Sequence, residues 1–143
     1  MIACHAVGET ASAARGLGAF LNGERISVSS VGRIEDATLS MTSYARTAAM
    51  HPRGFASLVS RCGLARAWGD CYGYLMVAAG RAEIMLDPEM STWDAAALYP
   101  VITEAGGGFS QWDGTPGVGG SVVATNGLLH AAVLAALRED GGQ

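Results

Sequence analysis

Residues 91–114, STWDAAALYPVITEAGGGFSQWDG, decide how the rest of the chain is read. Ser91 or Thr92 can cap a helix whose first turn holds Asp94, and Trp93, Ala97, Leu98, Val101, Ile102 and Ala105 recur at three- and four-residue spacing. That periodicity predicts one helix face against a core. Pro100 lies inside the pattern without a backbone donor, which predicts a bend or local break. Gly106 to Gly108 then stop the helix, because glycine readily takes the left-handed conformation of a C-terminal cap. A carboxylate at the head of a helix, as Asp94 is, suits a metal ligand. The plainer reading is an acidic group complementing the helix dipole, worth about 0.3–1 kcal/mol.

Outward from this helix, strand and helix signals alternate. AEIMLD at 82–87 reads as a strand, and the segment before it as a helix that Asp70 caps and Gly80 ends. LARAW at 64–68 is a short strand, and Pro52 suits the first turn of a helix through Phe55, Leu58 and Val59 to a stop at Gly63. ATLSMT at 37–42 is another strand. Towards the start, IACHAV at 2–7 and ETASAARG at 9–16 read as strands, and AFLNGERISVS as a hairpin whose Asn22-Gly23 pair fits the two positive-φ positions of a type I′ turn. On the other side, GFSQW at 108–112 and SVVATN at 121–126 are strands. Asn126 caps a last helix with Leu128, Leu129, Val133, Leu134 and Leu137 on one side, and the tail REDGGQ reads as frayed. This alternation predicts an α/β fold in a single domain over residues 1–143.

Composition narrows the functional classes. A chain of 143 residues is long enough for one domain that buries roughly 68–70% of its unfolded surface. Half the residues are hydrophobic, 15% are charged and mean hydropathy is +0.25, so some apolar surface is expected to need a partner. No run approaches the roughly 18 apolar residues of a membrane span and MIACHAVGET is not a signal peptide, which predicts a cytoplasmic protein without membrane partners. Net charge is −4 with scattered basic residues, which argues against nucleic acid. Cys4, Cys62 and Cys71 are odd in number and lack CxxC spacing, so they read as reduced thiols without a zinc site or disulfide framework. His5, His51 and His130 have no acidic or cysteine partner at ligand spacing and read as surface or cap residues. Trp68, Trp93 and Trp112 read as packing anchors. Gly106 to Gly108 close a helix and precede no Lys-Ser/Thr, so they are not a P-loop. No serine sits in a GxSxG setting and Cys71 has no nucleophile setting.

Several linked motifs carry a resemblance: ARGLGAFLNG at 14–23, GDCYGYLMVAAGRAEIMLDPEMSTWDAAA from Gly69, the EAGG turn and SVVATNGLL. Together they resemble the C-terminal part of the inositol monophosphatase family, and WGDCYGY with LDPEMSTWD is most similar to its histidinol-phosphatase-type members. The resemblance implies the C-terminal half of that family's layered α/β/α/β sandwich, a mixed sheet with flanking helices. It also implies hydrolysis of a phosphate monoester with Mg2+ ions that activate water and neutralise charge on the transferring phosphoryl group. Asp94 matches the family's metal-binding Asp of the WD pair. Asp70 and Asp87 match positions that face the alcohol part of the substrate, where carboxylates suit the ammonium group of histidinol phosphate.

The family's other metal ligands come from GEE and DPIDGT motifs, which this sequence lacks. Glu9 and Asp113 stand in other contexts and are not replacements. The resemblance therefore implies the C-terminal portion of a longer enzyme, whether a truncated product, a misplaced start or a true half-length protein. Two functional readings stay open. One is a magnesium-dependent phosphatase for histidinol phosphate or inositol monophosphate, acting as a homodimer or with a complementing N-terminal half. The other is a catalytically inactive pseudophosphatase or assembly module.

Overall fold

A computed structural model describes residues 1–138. Among these, β1 (Ile2–Cys4), β2 (Glu9–Ala14), β3 (Gly18–Leu21) and β4 (Glu24–Ile26) form an antiparallel meander in that order. The β3–β4 hairpin turns at Asn22 (φ 50°) and Gly23 (φ 88°), the two positive values that the Asn-Gly pair predicts. The second sheet is mixed. It contains β5 (Thr38–Met41), β6 (Leu64–Ala67), β7 (Ile84–Asp87), β8 (Gly108–Ser110) and β9 (Val122–Thr125) in the order β6-β5-β7-β9-β8. β5 runs parallel to β6 and β7, and β9 runs antiparallel to β7 and β8.

The helices are α1 (Tyr44–Met50), α2 (Pro52–Arg61), α3 (Asp70–Ala78), α4 (Thr92–Glu104) and α5 (His130–Leu137). Successive residues of a strand face opposite sides of its sheet, and β7 uses both. Met85 joins the core shared by α3, α4 and the meander, with Tyr74, Leu75, Leu98, Val101 and Ile102. Ile84 and Leu86 join the core under α2 and α5, with Phe55, Leu58, Val133 and Leu137. All four residues of β7 are buried, as expected for a strand covered on both faces. The layers are therefore meander, helices α3 and α4, mixed sheet, helices α2 and α5, which bears out the α/β expectation. Truncating a fully buried Leu58, Leu75 or Ile102 to Ala is expected to cost about 2–5 kcal/mol.

Several expectations are corrected. The stretch 2–7 is strand only to Cys4, and His5–Val7 form a 3-10 turn. α4 runs through Pro100 unbroken. It ends as predicted at Gly106 (φ 93°), where the amides of Gly106 and Gly107 bond back to Thr103 and Ile102. Trp93 (79% exposed) and Leu128 (65%) lie outside the core. Gly63 is not a left-handed stop, since α2 ends at an extended Cys62. Instead, a Cβ on Gly63 would meet the Glu35 carbonyl oxygen at 2.6 Å, so close chain approach requires glycine there. At the end of α4, the Glu104 carboxylate accepts the Gly16 and Gly18 amides at 2.9 and 3.0 Å and fastens the meander to the helix. Those two hydrogen bonds hold its carboxyl below the usual range.

Candidate functional site

The parallel strands β5, β6 and β7 end together, with Met41 in register with Ala67 and with Leu86. Residues just past these ends share one crevice, the usual place for ligands in α/β sheets. Thr42 follows β5, Asp70 opens α3 after β6, Asp87 ends β7, and Asp94 lies in the first turn of α4. All four line one open cavity of about 640 Å³, together with Cys71, Tyr74 and Glu89. A smaller recess of about 280 Å³ continues from it past Thr42, Asp87 and Glu89 to Arg46. The three carboxylates singled out from the sequence are thus brought to one place.

Their settings differ. Asp87 is buried, with 6% of its surface exposed. The Tyr74 hydroxyl donates to its Oδ2 at 2.7 Å, and Thr42 bonds it through both backbone and side chain. The Trp112 indole N–H, 2.9 Å from the Asp87 carbonyl oxygen, holds the backbone. Burial pushes the Asp87 carboxyl above its ordinary value, a rise that the Thr42 and Tyr74 bonds oppose and the nearby Asp70 charge reinforces. Burial and the Asp87 charge push the Tyr74 hydroxyl well above its ordinary value, so it remains a donor. With three donors on about four lone-pair directions, Asp87 keeps room for roughly one more.

Asp70 is exposed and left-handed (φ 53°), a conformation that Asp tolerates better than most residues. The expected Asp70 cap is therefore corrected: Gly69 occupies the N-cap position of α3, and no side chain caps that helix. α3 lies close on the sheet because residue 73 is glycine, where a Cβ would meet the Met85 sulfur at 2.5 Å. Asp94 is exposed, its amide bonded to the Ser91 carbonyl at 3.0 Å. Its carboxylate has no hydrogen-bond partner among the described residues. Ser91 is the N-cap of α4 without a side-chain cap bond. Glu89 pairs with Arg46 at the rim. With Asp70, Asp87, Glu89 and Asp94 against one arginine, the cavity favours a cation.

Magnesium requires near-octahedral oxygen coordination. Among the described residues no three His, Cys, Asp or Glu side chains come together as a metal site. These described residues alone therefore do not fit a magnesium cluster.

The remaining candidates fall into other roles. Glu9 pairs with Arg81 at 2.7 Å, and Asp113 accepts the Thr115 amide at 2.7 Å in a local turn. His130 is not a bare surface residue: it is half-buried between Thr125 Oγ1 and Ser110 Oγ, each 3.0 Å from a ring nitrogen. Trp68 is 52% exposed, so of the tryptophans Trp112 alone anchors a core as expected. The reading from sequence missed Tyr74, Thr42 and Trp112 as supports of Asp87. Tyr74 is fully buried, and only the fold shows where its hydroxyl points.

Comparison with known proteins bears on family and fold. Residues 1–141 match the Inositol monophosphatase family. A histidinol-phosphatase of Mycobacterium tuberculosis is 45% identical over 132 residues, covering 87% of this chain and 51% of that protein. Among solved structures, the Thermotoga maritima IMPase superposes with a TM-score of 0.85 at 29% identity, over 95% of this chain and 54% of that one. A calcium-bound family protein from Staphylococcus aureus superposes with a TM-score of 0.82 at 24% identity, over 96% of this chain and 55% of that one, a likeness of fold. The chain thus spans about half the length of the relatives it matches. No helix among the described residues is long and apolar enough to cross a membrane. With motif pattern, layered fold and sequence identity in agreement, this chain belongs to the inositol monophosphatase family.

Proposed function

We propose that this chain supplies the substrate-binding wall and one magnesium ligand of a phosphomonoesterase, with histidinol phosphate as the preferred substrate and inositol monophosphate as the next choice. The observation that carries the proposal is the convergence of Asp70, Asp87 and Asp94, from three separate elements, on one acidic cavity. Asp87, fixed by Tyr74 and Thr42, and Asp70 on the opposite strand end receive the ammonium group of the alcohol through charge-assisted hydrogen bonds. Asp94 offers its carboxylate to Mg2+, and the remaining oxygen ligands come from polypeptide beyond these residues, either a complementing half or a longer form of the chain. The similarity to a histidinol-phosphatase at 45% identity supports this choice of substrate.

A second reading, a catalytically inactive module that uses the same fold for assembly, is favoured by the lack of a three-ligand cluster among the described residues. One experiment separates the two. Phosphate release from histidinol phosphate is measured with Mg2+ for this chain alone, and after mixing with a polypeptide matching the portion of the relatives that it does not span. The phosphatase reading expects release only in the mixture, falling at least about a hundredfold with Asp94→Asn. A mixture that stays inactive favours the assembly module, and an active mixture indifferent to Asp94→Asn removes Asp94 as a magnesium ligand.

A further inference from the structure

Cys4 in β1 and Cys71 in the first turn of α3 are 67 positions apart in sequence, yet their sulfurs lie 3.7 Å from each other. We propose that Cys4 and Cys71 form a reversible oxidation site, closing to an intramolecular disulfide that ties β1 to the helix walling the acidic cavity. The sulfurs must approach by roughly 1.7 Å to reach bonding distance. Both side chains are only half-buried, and among the described residues β1 pairs with β2 alone, so side-chain rotation with a small strand shift can supply that movement.

The order of events follows from accessibility. Cys71 lines the open cavity, where a dissolved oxidant such as glutathione disulfide reaches it. Burial, followed by the neighbouring Cys71 sulfur, pushes the Cys4 thiol up to about 11, so Cys4 keeps its proton at rest. The Cys71 thiolate attacks one sulfur of glutathione disulfide, breaking its S–S bond and expelling one glutathione thiolate, which takes up the proton that Cys71 gave up. Cys4 then loses its proton and attacks the Cys71 sulfur. The protein disulfide forms as the second glutathione leaves and is protonated. Two protein thiols are oxidised and one small disulfide is reduced to two thiols. Cys62 provides an internal control, because it packs against the other core, under α2 and α5.

The test oxidises the full chain with glutathione disulfide, alkylates the remaining thiols and maps the digested peptides without reduction. The expected product in monomeric protein is a peptide linking Cys4 to Cys71, with Cys62 alkylated, and dithiothreitol reverses it. Cys4→Ser stops the reaction at a Cys71–glutathione mixed disulfide. Closing so long a loop raises the melting temperature by several degrees in the oxidised wild type, and not in Cys4→Ser or Cys71→Ser. Separate glutathione adducts on Cys4 and Cys71 in the wild type, a link confined to covalent dimers, or no change at either residue overturns the assignment.

Discussion

Asp87 and Asp94 border the same cavity and are held in opposite ways. Asp87 ends a strand buried on both faces, takes hydrogen bonds from Tyr74 and Thr42, and has its backbone gripped by Trp112. Asp94 stands exposed at the head of α4, with its carboxylate unpartnered among the described residues. One carboxylate is aimed by the fold before any ligand arrives. The other is placed by the fold and left without a side-chain partner among the described residues. The cavity therefore combines a preorganised wall with an open one, and substitutions should separate the two by their effect on stability.

Among substitutions at the cavity, the largest effect is expected at Tyr74→Phe, which removes a buried donor to a charged acceptor and should lower unfolding stability by about 1.5–3 kcal/mol in urea titrations. The same substitution has a pH signature. Asp87 is raised above its ordinary value of 3.8, so the stability it contributes is present at acid pH and lost as pH rises through its folded value. Without the Tyr74 bond that opposes the rise, that loss should extend to higher pH in the Phe variant. Equal stability curves would remove Asp87 from the preorganised class.

His130 belongs with Asp87 among groups whose partners lie inside the fold. Burial lowers its value below 6.5, so its contribution is present above 6.5 and lost as pH falls through 6.5 towards the lower folded value. Unfolding midpoints measured near pH 7.5 and 5.5 (about one unit to either side of the ordinary value) should fall further for the wild type than for His130→Gln. An unchanged pH dependence in the variant would contradict the burial of that ring.

Smaller changes are expected on the open wall. Asp94→Asn should cost no more than about 0.3–1 kcal/mol, the worth of an acidic residue at a helix head. A larger loss would mean that Asp94 is a structural residue like Asp87. Trp93→Ala, at a side chain 79% exposed, should stay within about 0.5 kcal/mol in thermal melts. The 3–5 kcal/mol typical of a buried tryptophan, taken as a rough range, would restore it to the core.

Much of the fold was legible because its signals are local. The Asn22-Gly23 turn, the Pro52 helix start, the Gly106 helix end and the apolar run of β7 each rest on neighbouring residues with firm backbone preferences. α1 was not foreseen: YARTAAM has good helix formers but buries only Thr47, so no apolar stripe marks it. Trp93 and Leu128 were misplaced because periodicity gives the direction of a helix face and not its extent: Trp93 sits in the first turn of α4, and Leu128 precedes α5. Of the site, Asp70, Asp87 and Asp94 were identified through family motifs, whereas their supports were invisible. Tyr74 and Thr42 meet Asp87 across 13 and 45 positions, and no spacing rule spans such distances. The contact between Cys4 and Cys71 escaped notice for the same reason.

The most direct test is a calorimetric Mg2+ titration of this chain combined with polypeptide covering the rest of its relatives' length, comparing wild type with Asp94→Asn. The account predicts Mg2+ uptake by the wild-type combination that weakens at least about tenfold in the variant, with the fold intact in both. Identical uptake by the two would contradict the assignment of Asp94, and with it the division of the cavity into a preorganised wall and an open one.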